Sequence, residues 1–316
     1  GPEWREDMFT HNLALLPLGG DEYVMMGGKQ GFVSNSTCRS ELRAAGFSQS
    51  TRPACLLPVS GFMPPSPTGI RLSRGRGLPW DAGRWSQPQT TLTGTHPANC
   101  IDRRPEATGY PRLLACEFDG RLSLARVQGV YHLYARANRQ SGAVAGGRFV
   151  QVTRSQQLER GWSTWAPVQI LGLDPKHVDV YFFAVGLNPV DANSVLAVFP
   201  LTQPPLACVV AAVSYDGVHF SRPINLLQSP FGVRSAKADG SGAFEWRAED
   251  MPAAGAVRDP NNPGRILFYI HHAVKGTTIR KGAIPHVRAY SVSAKQLTEV
   301  TAASLRQLPI PLHLHA

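Results

Sequence analysis

Three aspartates stand at almost the same distance before three turn-like sequences. Asp119 precedes Gly129 by ten residues, Asp179 precedes Asn188 by nine and Asp250 precedes Asp259 by nine. Each leads into an apolar stretch with no polar chemistry of its own. Carboxyl groups gathered at one register can flank a scissile bond, one protonated as acid, another ionised as base or nucleophile. That is the arrangement needed to cleave a glycosidic bond. Crowding like charges in a partly desolvated funnel raises one pKa and keeps the groups in distinct states. Asp119, Asp179 and Asp250 are the three acids at that register, with Glu117, Glu245 and Glu249 as acidic neighbours. The offset of Asp119 is one residue longer, and a one-residue slip turns a strand side chain to the opposite face. Gly120 beside it permits close backbone approach, so Asp119 is expected inward. If it is displaced, Glu117 or Arg121 takes the inward position.

Basic residues gather around these acids. Arg121 and Arg247 are close to them in sequence, and Lys29, Arg136 with Asn138, and His271-His272 end the strands that return to the same face. A ring of Arg and His suits a carboxylate or sulfate on a sugar, because Arg offers a two-pronged donor fork. The substrate-binding candidates are Glu117, Arg121, Arg136, Arg247, Glu249, His11, Asn12 and His271. A plainer reading stands beside each. A strand-start aspartate can cap its own turn, Arg136 can pair with a carboxylate to hold its strand, and His271-His272 can be a hydrogen-bonded pair rather than metal ligands. His313 and His315 are weaker candidates still.

Such residues need elements that converge. Strand–turn–strand patterns occupy 13–26, 121–136, 180–199 and 254–271, each with Gly, Asn, Asp or Pro at the turn. Each is followed by a strand ending near Ser, a polar turn and an aromatic, at 69–88, 148–168, 208–224 and 286–297. Two hairpin-like units make a four-stranded blade, with blade starts near 10, 117, 178 and 250 once 28–68 is taken as an insertion in the first. The expected fold is all-β: a single β-propeller domain over 1–316, most simply five blades of four antiparallel strands. The fifth blade is expected from strands around 300–314 with the N-terminus, or partly outside this sequence. No helix pattern is read. A two-sheet sandwich is the alternative. In a propeller the inner strands start at one end of the central channel, where a pocket forms.

At Ser214-Tyr215-Asp216-Gly217-Val218-His219-Phe220-Ser221, and at Phe118-Asp119-Gly120 followed by 129–134, the chain resembles the five-bladed β-propeller glycoside hydrolases of families 43, 62, 32 and 68, and more distantly the sialidases. The Ser-x-Asp-Gly turn builds blades and does no chemistry, so Asp216 reads as structural. The resemblance implies glycoside hydrolase-like activity, with three acids as base, acid and pKa modulator at positions matched by Asp119, Asp179 and Asp250. The first blade departs from the pattern, offering His11 and Asn12 where families 43 and 32 place an aspartate. That breaks the usual division of roles. The catalytic strings of families 32 and 68 are absent. Arg258-Asp259-Pro260 is similar to one of them but falls in a hairpin turn and reads as structural. Some members hold a cation in the channel, so Ca2+ is compatible there. Nothing in the residues identifies one, and no other cofactor or metal is expected.

Composition bounds the partners. Hydrophobic residues at 43% suffice for a core and exclude a disordered chain. Gly and Pro, 30 and 26 residues, imply many turns. The net charge of +10 favours an anionic partner, and an acidic carbohydrate fits it. Basic residues are dispersed and no nucleic-acid motif occurs, so nucleic acid is not expected. No apolar run approaches the roughly 18 residues of a membrane span. Cys38 with Cys55, and Cys100 with Cys116, can each close a short loop, and Asn35-Ser36-Thr37 is a glycosylation sequon. These features fit a secreted or luminal monomer. The alternative is a reducing compartment with five free thiols. A non-catalytic glycan- or protein-binding propeller is the competing function.

Overall fold

The computed structural model describes residues 13–28, 69–76, 86, 89–93, 122–138, 148–175, 177–203, 206–234, 245–274 and 282–308. Four sheets follow one another along the chain. The first pairs β1 (Ala14–Gly19), β2 (Glu22–Gly28), β3 (Gly69–Arg76) and β4 (Gln89–Thr93) in sequence order. The second pairs β5 (Ser123–Val127), β6 (Val130–Asn138), β7 (Arg148–Ser155) and β8 (Ala166–Pro167) likewise, and β9 (Gln169–Ile170) follows it. The third has its inner strand in two pieces, β10 (Asp179–Val180) and β11 (Ala184–Asn188), then β12 (Asp191–Gln203) and β13 (Leu206–Ser214). Next come β14 (His219–Phe220), which pairs in parallel with β9, and β15 (Ile224–Gln228), which completes the third sheet. A short hairpin, β16 (Phe231–Arg234) with β17 (Glu245–Ala248), precedes the fourth sheet of β18 (Met251–Arg258), β19 (Arg265–His272) and β20 (His286–Ser293). The fold is all-β in architecture, a propeller-like arrangement of four described blades.

Strand alternation explains the packing. Along β12, Val195, Ala197 and Phe199 face the second blade, while Leu196 and Val198 face the fourth. A central blade is therefore apolar on both faces. Three seams result. Leu16, Val24 and Ile70 meet Leu124, Leu133 and Trp165 between the first and second blades. Tyr134 and Phe149 meet Phe183, Phe199 and Phe220 between the second and third. Leu196, Val198 and Val209 meet Ile266 and Phe268 between the third and fourth. The β5–β6 hairpin closes through Gln128 and Gly129, both at positive φ (50° and 80°), a pairing that matches the strands' twist.

One expectation is overturned. Strands were expected around 300–314 and no helix anywhere, yet Ala294–Leu305 is a helix, α1. The Ser293 hydroxyl accepts from the Gln296 N–H, an N-cap, and Leu297, Thr301, Ser304 and Leu305 form its buried face. Helical spacing on that face outweighs the repeat pattern, and α1 starts in the sequence where a short edge strand was expected but packs Leu297 and Leu305 into the seam between the third and fourth blades. Residues 309–314 lie outside the described residues, as do segment 29–68 and Cys38, Cys55, Cys100 and Cys116.

The inner strands of the third and fourth blades are bulged close to the candidate acids. From Val180 to Ala184 is four residues, while their partners Leu201 and Val198 are three apart. From Pro252 to Ala256 is four residues, while Ile270 and Phe268 are two apart. The third blade thus carries one extra inner residue and the fourth carries two, so equal counts from the turns do not give equal heights in the ladder.

Candidate functional site

The starts of the inner strands and the ends of the strands beside them lie at one end of the blades. The inner hairpin turns and Asp216 lie at the other. Asp179 opens β10, and its carboxylate is buried. Its Oδ1 accepts from the Arg148 backbone N–H at 2.8 Å and from Arg148 Nε at 2.9 Å. Arg148 opens β7, so the pair joins the second blade to the third. The fork is used on one prong only: Arg148 Nη2 and Asp179 Oδ2 have no hydrogen-bond partner. Arg136, near the end of β6, is buried, and its guanidinium lies 5.1 Å from the Tyr181 ring centroid. The Arg148 guanidinium lies 4.6 Å from the same centroid. Tyr181 and Phe182 belong to the bulge, stand half-buried and meet edge to face at 4.7 Å. The gap beside them, lined by Ala135, Arg136, Val150, Val180 and Tyr181 among others, has no room even for a water molecule. The bulge is tied down from the second blade, where the Ser123 hydroxyl donates to the Phe183 carbonyl at 2.7 Å.

Asp250 immediately precedes β18 and is also buried. Its backbone N–H donates to the Ser229 hydroxyl at 3.0 Å, and its Oδ1 accepts from the Ala273 N–H at 3.2 Å. His272 Nδ1 stands 3.1 Å from the same oxygen. On the other side of the imidazole, Nε2 is 2.9 Å from the Tyr290 hydroxyl. A carboxylate only accepts, so Nδ1 is the donor to Asp250, and the imidazole bridges the carboxylate and the Tyr290 hydroxyl. The His286 ring stacks on His272 at 4.9 Å. Glu249 is buried beside Asp250, where its N–H reaches the Pro230 carbonyl at 3.3 Å. The Thr202 hydroxyl, at the end of β12, accepts from the Ala248 N–H at 3.0 Å and fixes the approach to this corner.

The structure therefore brings Asp179, Asp250, Arg136, Glu249 and His271 to one end, His271 half-buried opposite Met251. Arg247 stands on β17 opposite Gly232. Asp119, Glu117, Arg121, His11 and Asn12 lie outside the described residues. Sequence reasoning missed Arg148, Tyr181 and Tyr290. Arg148 was legible as a charge opening the apolar strand Arg148-Phe149-Val150, but its partner is 31 residues away. Among the described residues, no group of three or more His, Cys, Asp or Glu is placed to hold a metal ion, and no helix is long and apolar enough to cross a membrane.

Asp216 belongs to other work, at the far end of its blade. Its Oδ1 accepts from the Val218 and His219 N–H groups at 2.9 and 2.8 Å, and Oδ2 lies 2.6 Å from His219 Nδ1. Partial burial pushes this carboxyl up, but the hydrogen bonds from His219 and Val218 outweigh it and hold it below the usual range.

No protein-family model matches the sequence, and no curated protein matches it. Solved structures are similar in overall arrangement. The GH43 protein BlXynB of Bacillus licheniformis has a TM-score of 0.42 at 11% identity, over 89% of this chain and 39% of that one. The endo-arabinase of Bacteroides thetaiotaomicron has 0.47 at 10%, over 90% and 75%. The α-L-arabinofuranosidase Arb93A of Fusarium graminearum has 0.41 at 9%, over 91% and 78%. The chain spans about 39% of the length of the first of these. Likenesses at this level do not reach to activity.

Proposed function

We propose that this chain is a glycoside hydrolase-like propeller that takes a carbohydrate at the end where its inner strands begin. The carrying observation is that Asp179 and Asp250, in adjacent blades, are both buried at inner-strand starts at that end. Asp119 would join them from the second blade. Five blades in a single domain, an anionic sugar drawn by the +10 charge and by Arg136, and a secreted or luminal location belong to the same proposal.

The test is release of reducing sugar from a panel of neutral, uronic and sulfated glycans. Asp250→Asn should lower turnover by orders of magnitude while circular dichroism shows the fold intact. Near-normal turnover in that variant would remove Asp250 from catalysis.

One observation favours a second reading, a non-catalytic glycan-binding propeller. The Asp179 carboxylate is already engaged by Arg148, as expected of an acid that holds structure or ligand rather than one that moves protons. Binding of a panel member with no turnover of any would select this reading.

A further inference from the structure

The fourth blade ends one strand short. In the second and third blades the third strand, β7 or β13, is buried almost throughout and carries a fourth strand on its outer side. β20 holds the third place in its own sheet, and no strand pairs beyond it among the described residues. Six of its eight residues are exposed, including every one from His286 to Ala289. The chain does not turn back to fill the place. After Ser293 it enters α1, which packs Leu297 and Leu305 into the seam with the third blade.

This edge lacks the usual protections. A free strand presents a row of backbone N–H and C=O groups, and proteins blunt it by shortness, bulges or charge. The other described outer strands are two to five residues long, and β4 and β15 meet their neighbours across a register shift. β20 runs eight residues against β19 with no shift, from His286 opposite His272 to Ser293 opposite Arg265.

The two faces beside the edge dictate what an added strand would carry. Tyr290 and Val292 pack into the third–fourth seam, so by alternation His286 and Arg288 lie on that face. Val287 and Ala289 lie on the other, opposite His271 and Tyr269 of β19, and Val287 is 56% exposed. Strands β18 to β20 carry three Arg and three His and no Asp or Glu. A second copy of a chain with net charge +10 would bring the same sign to this edge, whereas an acidic strand complements it.

We propose that the free edge of β20 is a docking surface for an extended, acidic segment of another protein. The segment adds as the fourth strand of the blade, with an acidic side chain beside Arg288 and apolar ones beside Val287 and Ala289. Docking there needs nothing from the carbohydrate reading.

The test uses the full chain with two peptides at millimolar concentration, one alternating valine and glutamate, the other valine and lysine. Residue-resolved hydrogen exchange is read at the outward amides of β20, those not bonded to β19. The glutamate peptide should slow their exchange and the lysine peptide should not. Arg288→Glu, a change at an exposed side chain, should weaken the glutamate peptide by about tenfold and strengthen the lysine peptide. Binding of neither peptide to the wild type, equal binding of both, or an affinity that Arg288→Glu leaves unchanged overturns the docking surface. Outward amides already protected in the protein alone overturn it too. Protection that grows with protein concentration assigns the edge to a second copy, and protection independent of concentration assigns it to the chain's own residues.

Discussion

At Gly217 the backbone runs at φ +71°, and a Cβ built there would lie 2.6 Å from His132 Cδ2 and 2.8 Å from Tyr134 Oη. The Tyr134 hydroxyl donates to the Gly217 carbonyl at 2.8 Å, so the turn of the third blade is the lid on two buried rings of the second. Gly217→Ala should cost about 2–4 kcal/mol, from the left-handed backbone plus overpacking, measured by urea denaturation. The pH response has a definite sign. Asp216 is depressed in the folded protein, so its contribution is complete above its unfolded pKa of about 3.9 and is lost as pH falls through the lower folded value. His132 is depressed by burial, so the unfolded chain takes up its proton first and stability falls as pH drops below about 6.5. Acid melting should therefore show two phases, with the lower one missing in Asp216→Asn. A profile flat from pH 7 to 4 would contradict the His132 assignment. The Asp216 turn was legible because its chemistry is local, within the octapeptide. Its dependence on His132 and Tyr134 was not, because those rings come from more than 80 residues away.

The third strand of each later blade ends in serine, and one of the three serines does different work from the other two. Ser155 accepts from the Gln157 N–H at 3.0 Å and Ser214 from the Gly217 N–H at 2.9 Å, each opening a tight turn. Ser293 caps α1. The first two outcomes were readable from the repeat. The third was present as Ser293-Ala294-Lys295-Gln296, a capping-box spacing, followed by apolar residues at helical intervals, and the repeat pattern masked it. Ser293→Ala should cost about 1 kcal/mol. Because α1 packs on the third–fourth seam, the loss should appear in the global unfolding transition, not as fraying of the helix alone. Asn188 supports this link, since its side-chain amide donates to Ser194 and Thr301 at 3.1 and 3.2 Å. The inner-strand bulges were illegible: a count along one strand cannot reveal how many residues its partner spends over the same span.

For the whole molecule, stability resides in the seams. Phe199 is fully buried between Phe183 and its neighbours in the second–third seam, with the Phe183 ring 5.0 Å away. Phe199→Ala should cost about 3–5 kcal/mol. If the blades unfold as one body, that loss should move a single calorimetric peak. Two separated peaks would show that the seams fail independently. The net charge acts at the same scale. Retention on a sulfated matrix should fall as salt rises past about 0.15 M, where screening shortens to about 8 Å. Arg148→Lys, which keeps that charge, should elute with the wild type. The order of the four described blades could be anticipated from spacing alone because consecutive blades pack side by side. The pairing across the seams had to be seen.

The spare residue in the third inner strand has a genetic meaning. Most buried strands cannot lose a codon, because every side chain beyond the loss changes face. Here an in-frame deletion of Tyr181 would bring Phe183 opposite Phe199 and leave Asp179 opposite Thr202 and Ala184 opposite Val198, the pairings they already have. The deleted chain should fold and melt near the wild type while losing the aromatic ring that holds Arg148. This stretch of reading frame can shrink by one triplet without losing the protein.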